Sequence, residues 1–172
     1  VLAAHKDEKA YMQLADLDTL EFVISNTTEA GIVFREEDQF EDAPPQSFPA
    51  KLTKFLFARY QHFDGAADKG LIMLPVELID HNGAALKACV RNYAEHWQLA
   101  LSWLDTACTF ADTLVDRIVA GYPRAEAAAY EEELGYHDAL MTQCEPFALW
   151  VIGNPQLKDK LPLNAPDFPV EF

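Results

Sequence analysis

Three polar clusters each leave the end of an apolar run. Asn26, Thr27, Thr28 and Glu29 follow "EFVIS", Glu77, Asp80, His81 and Asn82 follow "GLIMLP", and Asp116 and Arg117 stand at the far end of "TLVD". Amides and hydroxyls donate and accept hydrogen bonds while carboxylates accept them, so together these residues describe an acid-rich or hydroxyl-reading cleft. Each also has an ordinary structural use. Asp, Asn and Thr after a strand cap the next helix or stabilise turns, and for Asp80, His81 and Asn82, just ahead of a helical pattern, capping is the favoured reading. Glu29 is balanced between site and solvated turn: Ala30 and Gly31 beside it would let a ligand approach the backbone. Asp116 and Arg117 are the odd pair. In a buried strand each charge is costly unless paired, and strand neighbours point to opposite faces, so each needs its own partner.

The elements that must position these clusters alternate between helix and strand. A weak helical stripe spans Asp7 to Leu17, and Glu21 to Ser25 reads as a buried strand. After an acidic, proline-bearing loop, Ser47 and Pro49 announce a helix whose Leu52, Phe55, Leu56, Tyr60 and Phe63 share one face. Gly70 to Pro75 is a continuous apolar run, the pattern of a strand covered on both faces. A helix with Leu86, Cys89, Val90, Tyr93 and Trp97 on one side follows, then a second from about Ala100 to Ala107. Thr113 to Val119 reads as a strand, an Ala- and Glu-rich helix ends at Leu134 and Gly135, Pro146 to Ile152 is a last strand, and the proline-punctuated tail is irregular. The alternation predicts an α/β domain with a mainly parallel sheet, whose ligands bind beyond the carboxyl ends of the strands. The three polar clusters arrive at that edge.

Other chemistries find no support. The net charge of −15 repels nucleic acid and anionic membranes, leaving neither as an expected partner. Cys89, Cys108 and Cys144 are far apart and suggest reduced, mostly buried thiols; the five histidines lack ligand spacing, so no metal is expected. No G-x-S-x-G, P-loop or G-x-G-x-x-G motif occurs, which leaves the chain without a phosphate cradle of its own. Asn26-Thr27-Thr28 matches a glycosylation sequon, but the start "VLAAHKDEKAYMQ" lacks the order of a signal peptide and no apolar stretch approaches the ~18 residues needed to cross a bilayer. A cytoplasmic location is expected, and the ends at Val1 and Phe172 suggest one domain cut from a longer polypeptide.

Read in order, "SNTTEAGI", "SFPAKLTKFLFARY", "GLIMLPVELIDHNG", "TLVDRIVAGYPR" and "EPFALWVIGNP" resemble the long-chain mannitol dehydrogenase family, most closely its hexuronate branch. The resemblance implies a metal-independent, NAD-linked oxidoreductase that interconverts tagaturonate and altronate, with a small-molecule hexuronate as partner. Fructuronate or mannitol are the alternatives within the family, and a non-catalytic α/β binding module the alternative outside it. Residues 1–153 would be the second half of a Rossmann-type domain, with 154–172 an irregular linker toward a helical C-terminal domain. The family's glycine fingerprint and catalytic Lys-Asn-His cluster would lie outside this chain, which should therefore not catalyse the reaction alone; no catalytic residue is expected within it. Asn26, Thr27, Thr28 and Glu29 would adjoin the cofactor, and Asn82, Asp116 and Arg117 the substrate. Leu78 stands where the polyol enzymes have an amide, which argues against mannitol, and Val76 where the hexuronate branch usually has cysteine.

Overall fold

The computed structural model describes residues 2–100, 102–161 and 170–172. Helix α1, Glu8–Gln13, starts at Asp7, whose side chain accepts from the Ala10 amide at 2.9 Å. The expected stripe continues only as a 3-10 turn, Leu14–Asp16. Strand β1, Phe22–Ser25, is followed by a long loop and by α2, Phe48–His62, which opens with Ser47 as N-cap and Pro49 in its first turn, as the sequence announces. Strand β2, Ile72–Pro75, leads to α3, Asn82–His96, the short α4, Trp103–Thr106, and β3, Thr109–Phe110.

These elements make a parallel sheet in the order β1-β2-β3, with Phe22 opposite Ile72 and Ile72 opposite Thr109. Strand β2 is buried on both faces. Leu71 and Met73 join Leu52, Phe55, Leu56, Leu86 and Val90 in the core beneath α2 and α3, whereas Ile72 and Leu74 pack on the other side with Ala111, Ile152 and Leu157. Period-two alternation thus feeds two cores from one continuous apolar run.

The second half departs from a simple continuation. Strand β4, Thr113–Asp116, runs antiparallel to β7, Leu149–Ile152, which pairs in parallel with β8, Val170–Glu171. Between them, β5, Val119–Gly121, pairs with β6, Gln143–Cys144, around α5, Ala127–Leu134. "TLVDRIV" is therefore two strands in two sheets with a bend at Arg117 and Ile118, not one buried strand. Asp116 and Arg117 are exposed, which removes the burial cost that made them conspicuous. The domain remains a helix-flanked, mainly parallel sheet with an antiparallel annex. Cys108 is buried, Cys89 half-buried and Cys144 exposed, so the thiols are less uniformly covered than expected. No helix among the described residues is long and apolar enough to cross a membrane.

Candidate functional site

The carboxyl edge of the parallel sheet opens into a cleft of about 490 Å³ lined by Ile24, Asn26, Val76, Leu78, Asp116 and Trp150, with Arg117 at its border. Residues from three separate connections meet there: Asn26 just past β1, Val76 and Leu78 just past β2, and Asp116 at the end of β4. The parallel strands β1 and β2 deliver their following residues to the same edge, and β4, from the neighbouring antiparallel pair with β7, brings Asp116 to the same cleft.

Glu77 lies between Val76 and Leu78 but turns the other way. It is 2% exposed, and its carboxylate accepts from the Ser25 hydroxyl at 2.9 Å, the Thr27 amide at 3.0 Å and the Thr27 hydroxyl at 2.8 Å. The turn that follows closes with the Gly31 amide on the Thr28 carbonyl at 2.8 Å. Gly31 is required here: a Cβ on it would stand 1.9 Å from the Thr27 hydroxyl oxygen. Thr27, expected near a ligand, thus spends its side chain on Glu77. Thr28 and Glu29 are exposed and do not line the cleft.

Asn82 is likewise committed within the fold. It is 1% exposed; its amide nitrogen donates to the carbonyls of Pro75, Glu77 and Thr113, and its oxygen accepts from the Thr113 amide at 2.8 Å. Expected at the substrate, it instead ties the end of β2 to the start of β4. The neighbouring Gly83 lets α3 approach that junction, since a Cβ would come within 2.5 Å of the Ala111 carbonyl. Arg117 donates through Nε and Nη2 to the Glu145 carbonyl at 3.1 and 3.0 Å, and the Glu145 carboxylate accepts from the Ile118 amide. Its guanidinium fastens the cleft rim to the β6–β7 connection.

The cap of α3 comes from elsewhere in the chain. His81 occupies the N-cap position in a left-handed conformation (φ 50°) without a capping bond, and Asp112 supplies the acceptor, taking the Ala84 amide at 3.0 Å and approaching His81 Nδ1 at 3.0 Å. Capping by Asp80, His81 or Asn82 is thereby replaced. For Asp112, burial pushes the carboxyl up but is outweighed by the Ala84 amide and His81, which leave it below its ordinary range. The hydrogen bond to Asp112, with Asp80 nearby, raises the His81 imidazole above its usual value.

Sequence reasoning missed Asp112 and the buried role of Glu77, both of which act across long sequence separations. The acid set between apolar Val76 and Leu78 was the one local signal for Glu77. Trp150 was also missed; it lines the cleft from β7, and its buried indole nitrogen has no acceptor among the described residues.

Residues 3–164 match the family model described as the mannitol dehydrogenase Rossmann domain. The chain belongs to this family. Among its relatives are the altronate oxidoreductases of Klebsiella pneumoniae, 54% identical over 95% of this chain and 36% of theirs, and of Yersinia pestis, 56% identical over 94% and 34%. The chain therefore spans about a third of the length of these relatives. A solved structure of Pseudomonas fluorescens mannitol 2-dehydrogenase, in a ternary complex with NAD and D-mannitol, superposes with a TM-score of 0.71 over 99% of this chain and 36% of that one, at 23% identity. A substrate-free D-sorbitol dehydrogenase gives 0.69 over 87%, at 22% identity. At such identities the shared property is the fold, and the mannitol dehydrogenase Rossmann fold accounts for the parallel β1-β2-β3 sheet and its flanking helices.

Proposed function

We propose that this chain is part of an NAD-dependent oxidoreductase that interconverts D-altronate and D-tagaturonate. The observation that carries the proposal is the likeness to altronate oxidoreductases across nearly the whole chain. A cleft of this volume is of the size that holds small ligands, ~300–1,000 Å³.

Asp116, exposed at the cleft wall, can accept from substrate hydroxyls; the Asn26 amide can both donate and accept. Val76, Leu78 and Trp150 give the cleft an apolar lining beside these polar groups. The residues present suit the nicotinamide end of the cofactor and not its phosphates, because an amide and an apolar wall adjoin while no G-x-G-x-x-G run occurs in the sequence. When bound, NAD supplies hydride exchange at the carbinol carbon. This chain's part is to orient the reactants, and holding a near-attack geometry is a large rate term, ~7–11 kcal/mol in favourable cases. The proton-transferring group is assigned to a part of the polypeptide outside these residues.

The test is NAD reduction by the full-length polypeptide that carries this chain, with altronate, mannonate and mannitol offered in parallel. Altronate should be oxidised with the highest kcat/KM. Preference for mannonate would reassign it to fructuronate chemistry, and preference for mannitol to the polyol branch. Calorimetric titration of the 172-residue chain with NADH should show no tight binding; submicromolar binding would favour a self-sufficient binding module.

A further inference from the structure

We propose that Glu77 is the positioning residue of the cleft, holding Asn26 at its edge through bonds to the residues on either side of it. The proposal rests on the oxidoreductase reading for its functional consequence and on the geometry for its structural one. One carboxylate oxygen, Oε2, takes the hydroxyl of Ser25, the last residue of β1, and the other, Oε1, takes both the amide and the hydroxyl of Thr27. Asn26 stands between these two anchors and lines the cleft. The Thr27 hydroxyl also lies against Gly31, where a Cβ would stand 1.9 Å from it.

Glu77 is buried and, among the described residues, forms no ion pair. Burying a carboxylate without a cation is costly, and its three donors are what offset the cost. Among the described residues, Glu77 is the side chain that bonds to the turn's backbone between Asn26 and Gly31.

Chemistry separates geometry from charge at this position. In Glu77→Gln the carbonyl oxygen can keep both Thr27 donors, and the new NH2 can donate to Ser25 once that hydroxyl rotates to accept. In Glu77→Asp the carboxylate withdraws by one methylene and loses all three partners. Steady-state kinetics of the full-length polypeptide with altronate and NAD should show KM for NAD raised roughly tenfold or more in Glu77→Ala and Glu77→Asp, kcat changed less than about threefold, and near-normal values in Glu77→Gln. In parallel, amide exchange in the same full-length polypeptide should accelerate at Thr27 and Gly31 in the Ala and Asp variants, but not in Gln.

Unchanged exchange and unchanged KM in Glu77→Ala would overturn the proposal. Equal loss in all three variants with a general drop in melting temperature would also overturn it, making Glu77 a plain stability residue. If the wild-type polypeptide showed no NAD-linked altronate oxidation, the oxidoreductase reading would fail, while the exchange arm would still decide whether Glu77 positions the turn.

Discussion

Asn82 and Thr113 pair as a side chain imitating a strand. The Asn82 oxygen accepts from the Thr113 amide at 2.8 Å and its nitrogen donates to the Thr113 carbonyl at 2.8 Å, the reciprocal pattern that two residues of a ladder make. The same nitrogen also serves the Pro75 and Glu77 carbonyls at 3.0 Å each. One carboxamide thus closes the gap where β2 has ended and β4 has begun.

Asn82→Ala should therefore destabilise the chain by about 2–4 kcal/mol, because it leaves the half-buried Thr113 amide and several carbonyls without this partner. Asn82→Asp should cost at least as much, since an acceptor oxygen would then face three carbonyls. Urea unfolding followed by circular dichroism measures both. A loss under ~1 kcal/mol in either would mean that water replaces the carboxamide.

A second clamp secures the N-terminal segment. Arg59 on α2 is 1% exposed and donates to the carbonyls of Lys69, Ala15, Leu17 and Leu20 at 2.7–3.0 Å, a fork engaging four backbone acceptors with no acid among them. Lysine presents three donors on one atom and cannot span the four. Arg59→Lys should cost about 3 kcal/mol or more and expose the Leu17–Leu20 stretch to limited proteolysis. Wild-type resistance to cleavage there would show that the apolar contacts of α1 suffice without the fork.

Much of this fold is legible in the sequence, and the reasons are local. Strand β2 is readable because covering both faces demands an unbroken apolar run, and α2 because Ser47, Pro49 and the stripe from Leu52 to Leu56 agree on its start and its buried side. The bend after Asp116 is not, since β-branched residues on both sides carry the same periodicity whether they serve one sheet or two. At the cleft, the arrival of Asn26 and of Val76 and Leu78 at one edge follows from the shared direction of β1 and β2, whereas Asp116 reaches it from the antiparallel β4–β7 pair, which the periodicity does not show. The roles of Asn82, Glu77 and Asp112 do not follow, because a polar side chain has the same appearance in sequence whether its partner is a ligand or a backbone group 31 or 50 residues away.

The His81–Asp112 pair gives the α3 cap a pH dependence with a definite sign. His81 has its folded-state pKa raised, so its contribution is full below the unfolded value of ~6.5 and is lost as pH rises through the higher folded value. Asp112 has its own lowered, so its contribution is full above the unfolded value of ~3.9 and lost as pH falls through the lower folded one. The cap is thus strongest between about pH 4 and 6.5. Melting temperatures of wild type and His81→Gln should differ most in that window and converge as pH rises through the raised His81 value. A constant difference across the range would remove the pair as its cause.

Asp116 supplies the sharpest functional test, because its place in the cleft is not required by the fold. It is exposed, ends β4 opposite Leu149, and makes no side-chain hydrogen bond among the described residues, in contrast to Asn82 and Glu77. Asp116→Asn should consequently leave the unfolding midpoint within ~0.5 kcal/mol of wild type. If its carboxylate receives a substrate hydroxyl, the full-length polypeptide carrying the variant should lose about tenfold or more in kcat/KM for altronate, the value of one charge-assisted hydrogen bond, with KM for NAD nearly unchanged. Equal efficiency with altronate would take Asp116 out of the site, and a loss confined to NAD would move it to the cofactor side of the cleft.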